Sequence, residues 1–269
     1  KYVVDNLKDR VGLWITFNEA SSVYAGFSYL NGQWPPQRRN IFEYNKVRRN
    51  FIKAQALAYQ EIKNTYSVPQ TLSEITSTSH NVEVGLIESN TFTVHGERWY
   101  EKIIDNIYNY QRNLYFWDKA LPYYDFLGLN YYHVDRRVLG SYRTLPKQGW
   151  MPEMGWETYP KGIYYRLMEL KKFKKPIYVT ENGIADGKDE LRDKFIKEHL
   201  RWVWQAINDG VDVHGYMYWS LLDNFEWARG FKPRFGLVEV DFNTFARKIR
   251  PSALEYAKIC IENKLESSY

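Results

Sequence analysis

VGLWITFNE, residues 11–19, is an apolar run of strand length that stops at an Asn-Glu pair, and PIYVTEN, residues 176–182, repeats that design. Runs of this kind, rich in Val, Ile, Phe, Tyr and Thr and closed by polar residues, read as buried β-strands. Three more stand out: VEVGLIE at 82–88, YDFLGLNY at 124–131 and VHGYMYW at 213–219. The segments between them read as helices. Residues 43–63 carry Phe51, Ala54, Leu57, Ala58 and Ile62 at helical spacing, and Phe195, Ile196, Leu200, Val203, Trp204 and Ile207 mark a second amphipathic helix ending at Asp209-Gly210. Helices are also expected over 97–114 and 160–170, and from Pro251 to about Ile261. Residues 235–241 suggest a small extra strand, and 133–158 a long loop of the kind that is usually functional. Alternating strands and helices point to an α/β fold with parallel strands. Polar or aromatic residues gather where the strands end, near Glu19, Glu88, Tyr131, Glu181 and Trp219, as they do at the reactive end of a (β/α)8 barrel. There is no Gly-rich phosphate loop to favour a nucleotide-binding sheet, and one domain over residues 1–269 is expected.

Composition narrows the chemistry. Ten Trp and 23 Tyr suit a carbohydrate site, where ring faces pack on sugar C–H faces while indole and phenol groups hydrogen-bond. The charge of +5, from 37 basic and 32 acidic residues, is spread in short clusters without a nucleic-acid module, so no nucleic-acid partner is expected. The single cysteine, Cys260, excludes an intrachain disulfide and is compatible with a reducing compartment. No apolar run is long enough to span a bilayer, and the expectation is a cytoplasmic protein without a membrane partner.

Glu19 and Glu181 both close apolar runs and both have Asn beside them. Glycoside hydrolysis needs two carboxyl groups, one to protonate the leaving oxygen and one to attack the sugar carbon or activate water. On that chemistry alone, retaining and inverting mechanisms both remain open, because spacing in sequence says nothing of separation in space.

Longer motifs go further. WITFNEA (14–20) resembles the strand-four motif of glycoside hydrolase family 1, and YVTENGIAD (178–186) its strand-seven motif. GLNYY (128–132) is similar to the end of strand six, and WSLLDNFEWARGFKPRFGLVEVDF (219–242) to the segment after strand eight. The order is kept, and the likeness is nearest to archaeal-type β-glycosidases. The resemblance implies a retaining enzyme without metal or organic cofactor, in which Glu181 is the nucleophile and Glu19 the acid/base, with the higher pKa. Their carboxyl groups would then lie about 5–5.5 Å apart. It further implies that Asn18 bonds the sugar 2-hydroxyl, Tyr131 donates to Glu181, Trp219 forms the platform under the sugar, and Glu226 and Trp227 bind its outer hydroxyls. Asn90, Trp156 and Phe235 are weaker candidates, beside the acid/base, on the aglycone side, and as a loop anchor. A carboxylate at Glu226 would repel a phosphate dianion, which favours unphosphorylated β-linked glucosides or galactosides.

The resemblance also carries departures. Residues 2–19 align with the helix and strand four of the family plan, so the expected fold is an incomplete (β/α)8 TIM barrel holding strands 4–8 only. Open edges and an uncovered interior would call for either a homo-oligomer or a second chain supplying the missing barrel strands. Ala20 stands where Pro usually follows the acid/base, and Gln55 where many relatives carry His. The alternative reading is a non-catalytic sugar-binding or assembly protein derived from a glycosidase.

Overall fold

The computed structural model describes residues 1–67, 82–94, 97–136, 147 and 149–265. In chain order they form α1 (Tyr2–Leu7), β1 (Leu13–Asn18), a π-helix (Ala20–Leu30), α2 (Ile41–Ser67), β2 (Glu83–Thr93), α3 (Trp99–Asn109), α4 (Tyr115–Ala120), β3 (Phe126–Asp135), α5 (Lys161–Leu170), β4 (Ile177–Asn182), α6 (Arg192–Asn208), β5 (Val213–Tyr218), β6 (Val238–Val240), β7 (Arg247–Ile249) and α7 (Pro251–Glu262). β1 to β5 are neighbours in that order in one five-stranded sheet, and β6 and β7 pair antiparallel. All five expected strands are present. Their numbering as strands 4–8 of a barrel lacking its first three is corrected: strands run through the chain from Leu13 onward, each hydrogen-bonded to the next in sequence. That numbering was carried over from a family plan and had no source in these residues. Part of the long loop, residues 137–146 and 148, lies outside the described residues.

Two compact units make up the chain. The first comprises Lys1–Ser89, Asn109–Leu129 and Lys175–Ile177. Here β1 and β2 pair in parallel, Leu13 with Glu83 and Trp14 with Val84, and the register slips between Ile15 and Asn18. Val4, Ile62, Val82 and Val84 form its apolar cluster, against which Trp14, Tyr59 and Tyr66 pack. Gly85 is required by close approach, since a Cβ there would stand 2.1 Å from the Phe126 ring. The buried face of α2 is more polar than its sequence suggested: Leu57 is exposed, while Arg48 and Gln55 are buried. Gln55 accepts a hydrogen bond from Thr16 Oγ1 and donates to the Tyr123 carbonyl at 2.6 Å, so the departure from His ties α2 to β1.

The second unit comprises Asn90–Tyr108, Asn130–Lys174 and Tyr178–Tyr269. Ile184, Phe195, Ile196, Tyr218 and Leu237 form one of its cores, with α6 turning Phe195, Ile196 and Val203 inward. His199, on that same face, is fully buried, and burial pushes it down to about 3, so it packs as a neutral ring. Its Nδ1 lies 2.8 Å from the Phe195 carbonyl. Among the described residues, no helix is long and apolar enough to cross a membrane.

Candidate active site

In the first unit, Asn18 ends β1 at the surface and Glu19 follows it, half-buried. Glu19 has φ 57° and ψ 33°, left-handed backbone that a residue with a Cβ adopts only when its surroundings impose it. Its amide donates to the Ile87 carbonyl at 2.9 Å, and its carbonyl accepts the Val23 amide at 3.0 Å, opening the π-helix. Ala20 is buried at the start of that helix.

In the second unit, the Tyr132 hydroxyl donates to Glu181 Oε2 at 2.6 Å, the length expected of a bond to an ionised carboxylate. The partner expected was Tyr131, and the structure corrects it by one residue. Tyr131 is wholly buried and donates to the Tyr159 carbonyl at 2.8 Å, packed so closely on Gly162 that a Cβ there would meet its hydroxyl. Successive strand side chains point to opposite faces, so adjacent tyrosines cannot share a role.

Asn182, next to Glu181, is also fully buried. It donates to the Tyr131 carbonyl and accepts from the Tyr216 hydroxyl at 2.7 Å. Gly183 lets the chain pass the carbonyl of Trp219, 1.9 Å from where a Cβ would stand, while the Trp219 amide donates to the Asn182 carbonyl at 3.0 Å. The Glu-Asn-Gly sequence therefore presents one carboxylate, anchors it to two strands and admits the tryptophan.

An aromatic cluster packs behind Tyr132, the donor to Glu181. Phe235, with Met154 and Ala185, forms a buried cluster on which Tyr132, Trp156 and Trp219 pack. Trp156 is stacked on His133 at 5.0 Å. The segment bearing it is pinned by the Val134 amide, which donates to the Glu157 carbonyl at 3.1 Å, and by the buried Arg136–Glu157 ion pair at 2.8 Å. Glu226 is half-buried. Burial first, and then repulsion from Glu181, raises its carboxyl above the ordinary range, while Arg229 partly offsets both. Trp227 follows it, exposed and left-handed at φ 46°. Asn90 is buried in β2. The second unit thus holds Glu226 near enough to Glu181 for repulsion, and packs Trp156, Trp219 and Phe235 with the donor to Glu181, Tyr132. That last residue was missed in the sequence, although the alternation of β3 carried the signal.

The family model for glycosyl hydrolase family 1 matches residues 1–108 and 118–265. The β-galactosidase of Sulfolobus acidocaldarius is 32% identical over 282 residues, covering 97% of this chain and 57% of that protein. The β-glycosidase from Pyrococcus horikoshii superposes with a TM-score of 0.84 at 33% identity, over 99% of this chain and 64% of that one. A mutant hyperthermophilic β-glucosidase that forms a dodecamer in its crystal superposes at 0.79 and 33% identity, over 94% of this chain and 57% of that one. The chain therefore spans roughly three-fifths of the length of these relatives. The match begins at residue 1 and takes in β1, which overturns the expectation of a C-terminal part lacking barrel strands one to three. The expected second chain supplying those strands is withdrawn with it.

Proposed function

We propose, from the premise that this chain belongs to glycosyl hydrolase family 1, that it hydrolyses terminal, unphosphorylated β-D-glucosides or β-D-galactosides with retention. Glu181 attacks the anomeric carbon as Glu19 protonates the glycosidic oxygen. The C–O bond breaks, the aglycone leaves as an alcohol, and a glycosyl ester on Glu181 remains. Glu19, now a carboxylate, takes a proton from water as that water attacks the same carbon, and Glu181 is released ionised. Asn18 and Asn90 serve the sugar on the acid/base side. Trp219 is its platform, Glu226 and Trp227 hold its outer hydroxyls, Trp156 lines the aglycone side, and buried Phe235 anchors the loop behind it. The mechanism uses no metal or organic cofactor. The reading places the protein in the cytoplasm, acting as one catalytic domain, with self-association as the assembly to test.

The observation that carries it is the Tyr132 hydroxyl 2.6 Å from Glu181 Oε2, with that tyrosine packed in the cluster of Trp156, Trp219 and Phe235. A carboxylate that accepts a short bond from a phenol, itself packed on an aromatic cluster, suits a nucleophile at an anomeric carbon. Both carboxylate positions of the family motifs are filled, which speaks against the non-catalytic alternative. The test is the anomer released first from a β-glucoside and a β-galactoside, followed by NMR. The β-anomer is expected, and Glu181→Gln should abolish turnover. Release of the α-anomer refutes retention.

A further inference from the structure

Three consecutive residues of β2 grip the turn that carries Glu19. The Ile87 carbonyl accepts the Glu19 amide at 2.9 Å. The Glu88 carboxyl accepts the Ser21 amide on one oxygen and the Ser22 amide on the other, at 2.8 Å each. The Ser89 amide then donates to Ser22 Oγ at 3.1 Å. These bonds fall at the amide of Glu19, which is in left-handed backbone, and at Ser21 and Ser22 just after it.

Glu88 is 3% exposed, so it is not placed to meet substrate from solvent. An apolar residue would fill a strand interior at less desolvation cost, and a carboxyl is tolerated there because both oxygens are bonded. Burial raises the Glu88 carboxyl, while the bonds from Ser22 and Ser21 and the charge of Arg112 pull it back. Arg48 adds a buried cation to the same surroundings, with its guanidinium 3.8 Å over the Tyr115 ring.

We propose that Glu88 is the positioning residue for Glu19: by holding the first turn of the π-helix through the Ser21 and Ser22 amides, it keeps Glu19 left-handed and fixes where that carboxyl points. The proposal rests on the reading of Glu19 as acid/base. A clamp of this kind acts on proton delivery rather than on sugar binding, and that separates it from a merely structural carboxyl.

The experiment compares wild type, Glu88→Gln and Ser22→Ala on two β-glucosides. One has an alkyl aglycone, which needs protonation to leave; the other has a dinitrophenyl aglycone, which does not. Glu88→Gln keeps the shape but turns an amide NH2 toward a backbone donor. Its kcat/KM on the alkyl glucoside should fall on the order of 10- to 100-fold. On the dinitrophenyl glucoside kcat/KM should stay within about threefold, because nucleophilic attack and sugar binding are untouched. Ser22→Ala, the milder change, should show the same selectivity with a smaller loss. Equal losses on both substrates, or none, overturn the proposal. Amide hydrogen exchange supplies a readout that does not need turnover: Glu19, Ser21 and Ser22 should lose protection in Glu88→Gln, and unchanged protection also overturns it. A wild-type chain that turns over neither glucoside refutes the glycosidase reading by itself, and exchange alone then decides the clamp.

Discussion

Replacing Tyr132 by Phe, with Tyr131→Phe as its partner experiment, separates two hydroxyls that are adjacent in sequence and opposed in use. Tyr132→Phe deletes the 2.6 Å bond to Glu181 Oε2 and leaves the ring in the aromatic cluster. A hydrogen bond to a charged group contributes about 1.5–3 kcal/mol, which converts to a loss of roughly 10- to 150-fold in kcat/KM if the bond persists in the transition state. The sign of the pH effect follows from which form is stabilised. The phenol donates to the ionised carboxylate, so without it the nucleophile holds its proton to higher pH, and the acid limb of kcat/KM moves upward. Tyr131→Phe instead removes the donor to the Tyr159 carbonyl. That carbonyl keeps the Gly162 amide at 2.9 Å, so the cost is that of one neutral hydrogen bond, about 0.5–1.5 kcal/mol of stability, a fall in Tm of roughly 1–6 °C for a chain of this size. Its acid limb should stay where it is. Initial-rate pH profiles and thermal melts of both variants are the assay. A Tyr131→Phe enzyme that loses turnover with a shifted acid limb, or a Tyr132→Phe enzyme with wild-type kinetics, would refute the assignment of these two hydroxyls.

Three further outcomes are expected. Gly183→Ala should cost well over tenfold in kcat, because a Cβ 1.9 Å from the Trp219 carbonyl forces Glu181 and the platform apart; a variant with normal turnover would show that the two are not coupled. Glu226→Gln should make the protein more stable than wild type at neutral pH. The folded carboxyl is raised, so it opposes folding once pH exceeds the unfolded value, and urea unfolding should show the gain fading as pH falls through the raised folded value and below the ordinary carboxylate range. His199→Gln should flatten the acid loss of stability: folded His199 is pushed down to about 3, so it favours folding above its ordinary value of 6.5 and loses that contribution progressively as pH falls from there toward 3. Unfolding curves between those limits that match wild type would exclude His199 as the source.

The sheet was legible because its strands are bounded chemically. The runs closing at Glu19, Glu181 and Trp219 end where β1, β4 and β5 end, whereas β2 and β3 run on past Glu88 and Tyr131 to Thr93 and Asp135. Helix boundaries were less so. The expected helix over 97–114 is α3 and a π-helical turn at Tyr110–Leu114, and it runs on past that end into α4, because Asn and Tyr carry no strong stop signal. The stripe on α2 misled at Leu57, where periodicity cannot tell that Arg48 and Gln55 find buried partners. In the candidate site, the motifs singled out Glu181 and Glu226, and the structure sets both within one unit. The tyrosine slip came from transferring a role along a motif without following alternation along the strand. Glu88 was visible only as a strand end, since nothing local announces that its oxygens meet the Ser21 and Ser22 amides, 67 and 66 residues away.

The Tyr131-Tyr132 pair has a consequence for how such chains are compared. The two residues are chemically identical, yet one holds the scaffold and the other the nucleophile. A single-residue gap placed in β3 ahead of the pair would still align tyrosine with tyrosine and score as identity, while equating a strut with a working group. The same hazard faces a deletion arising in the gene. It would leave a tyrosine at the position, keep the composition of the strand nearly intact, and exchange the two side chains' faces at a stroke. Insertions and deletions in this strand should therefore be far rarer among active relatives than substitutions, and alignments there are best fixed by the pleat rather than by the letters.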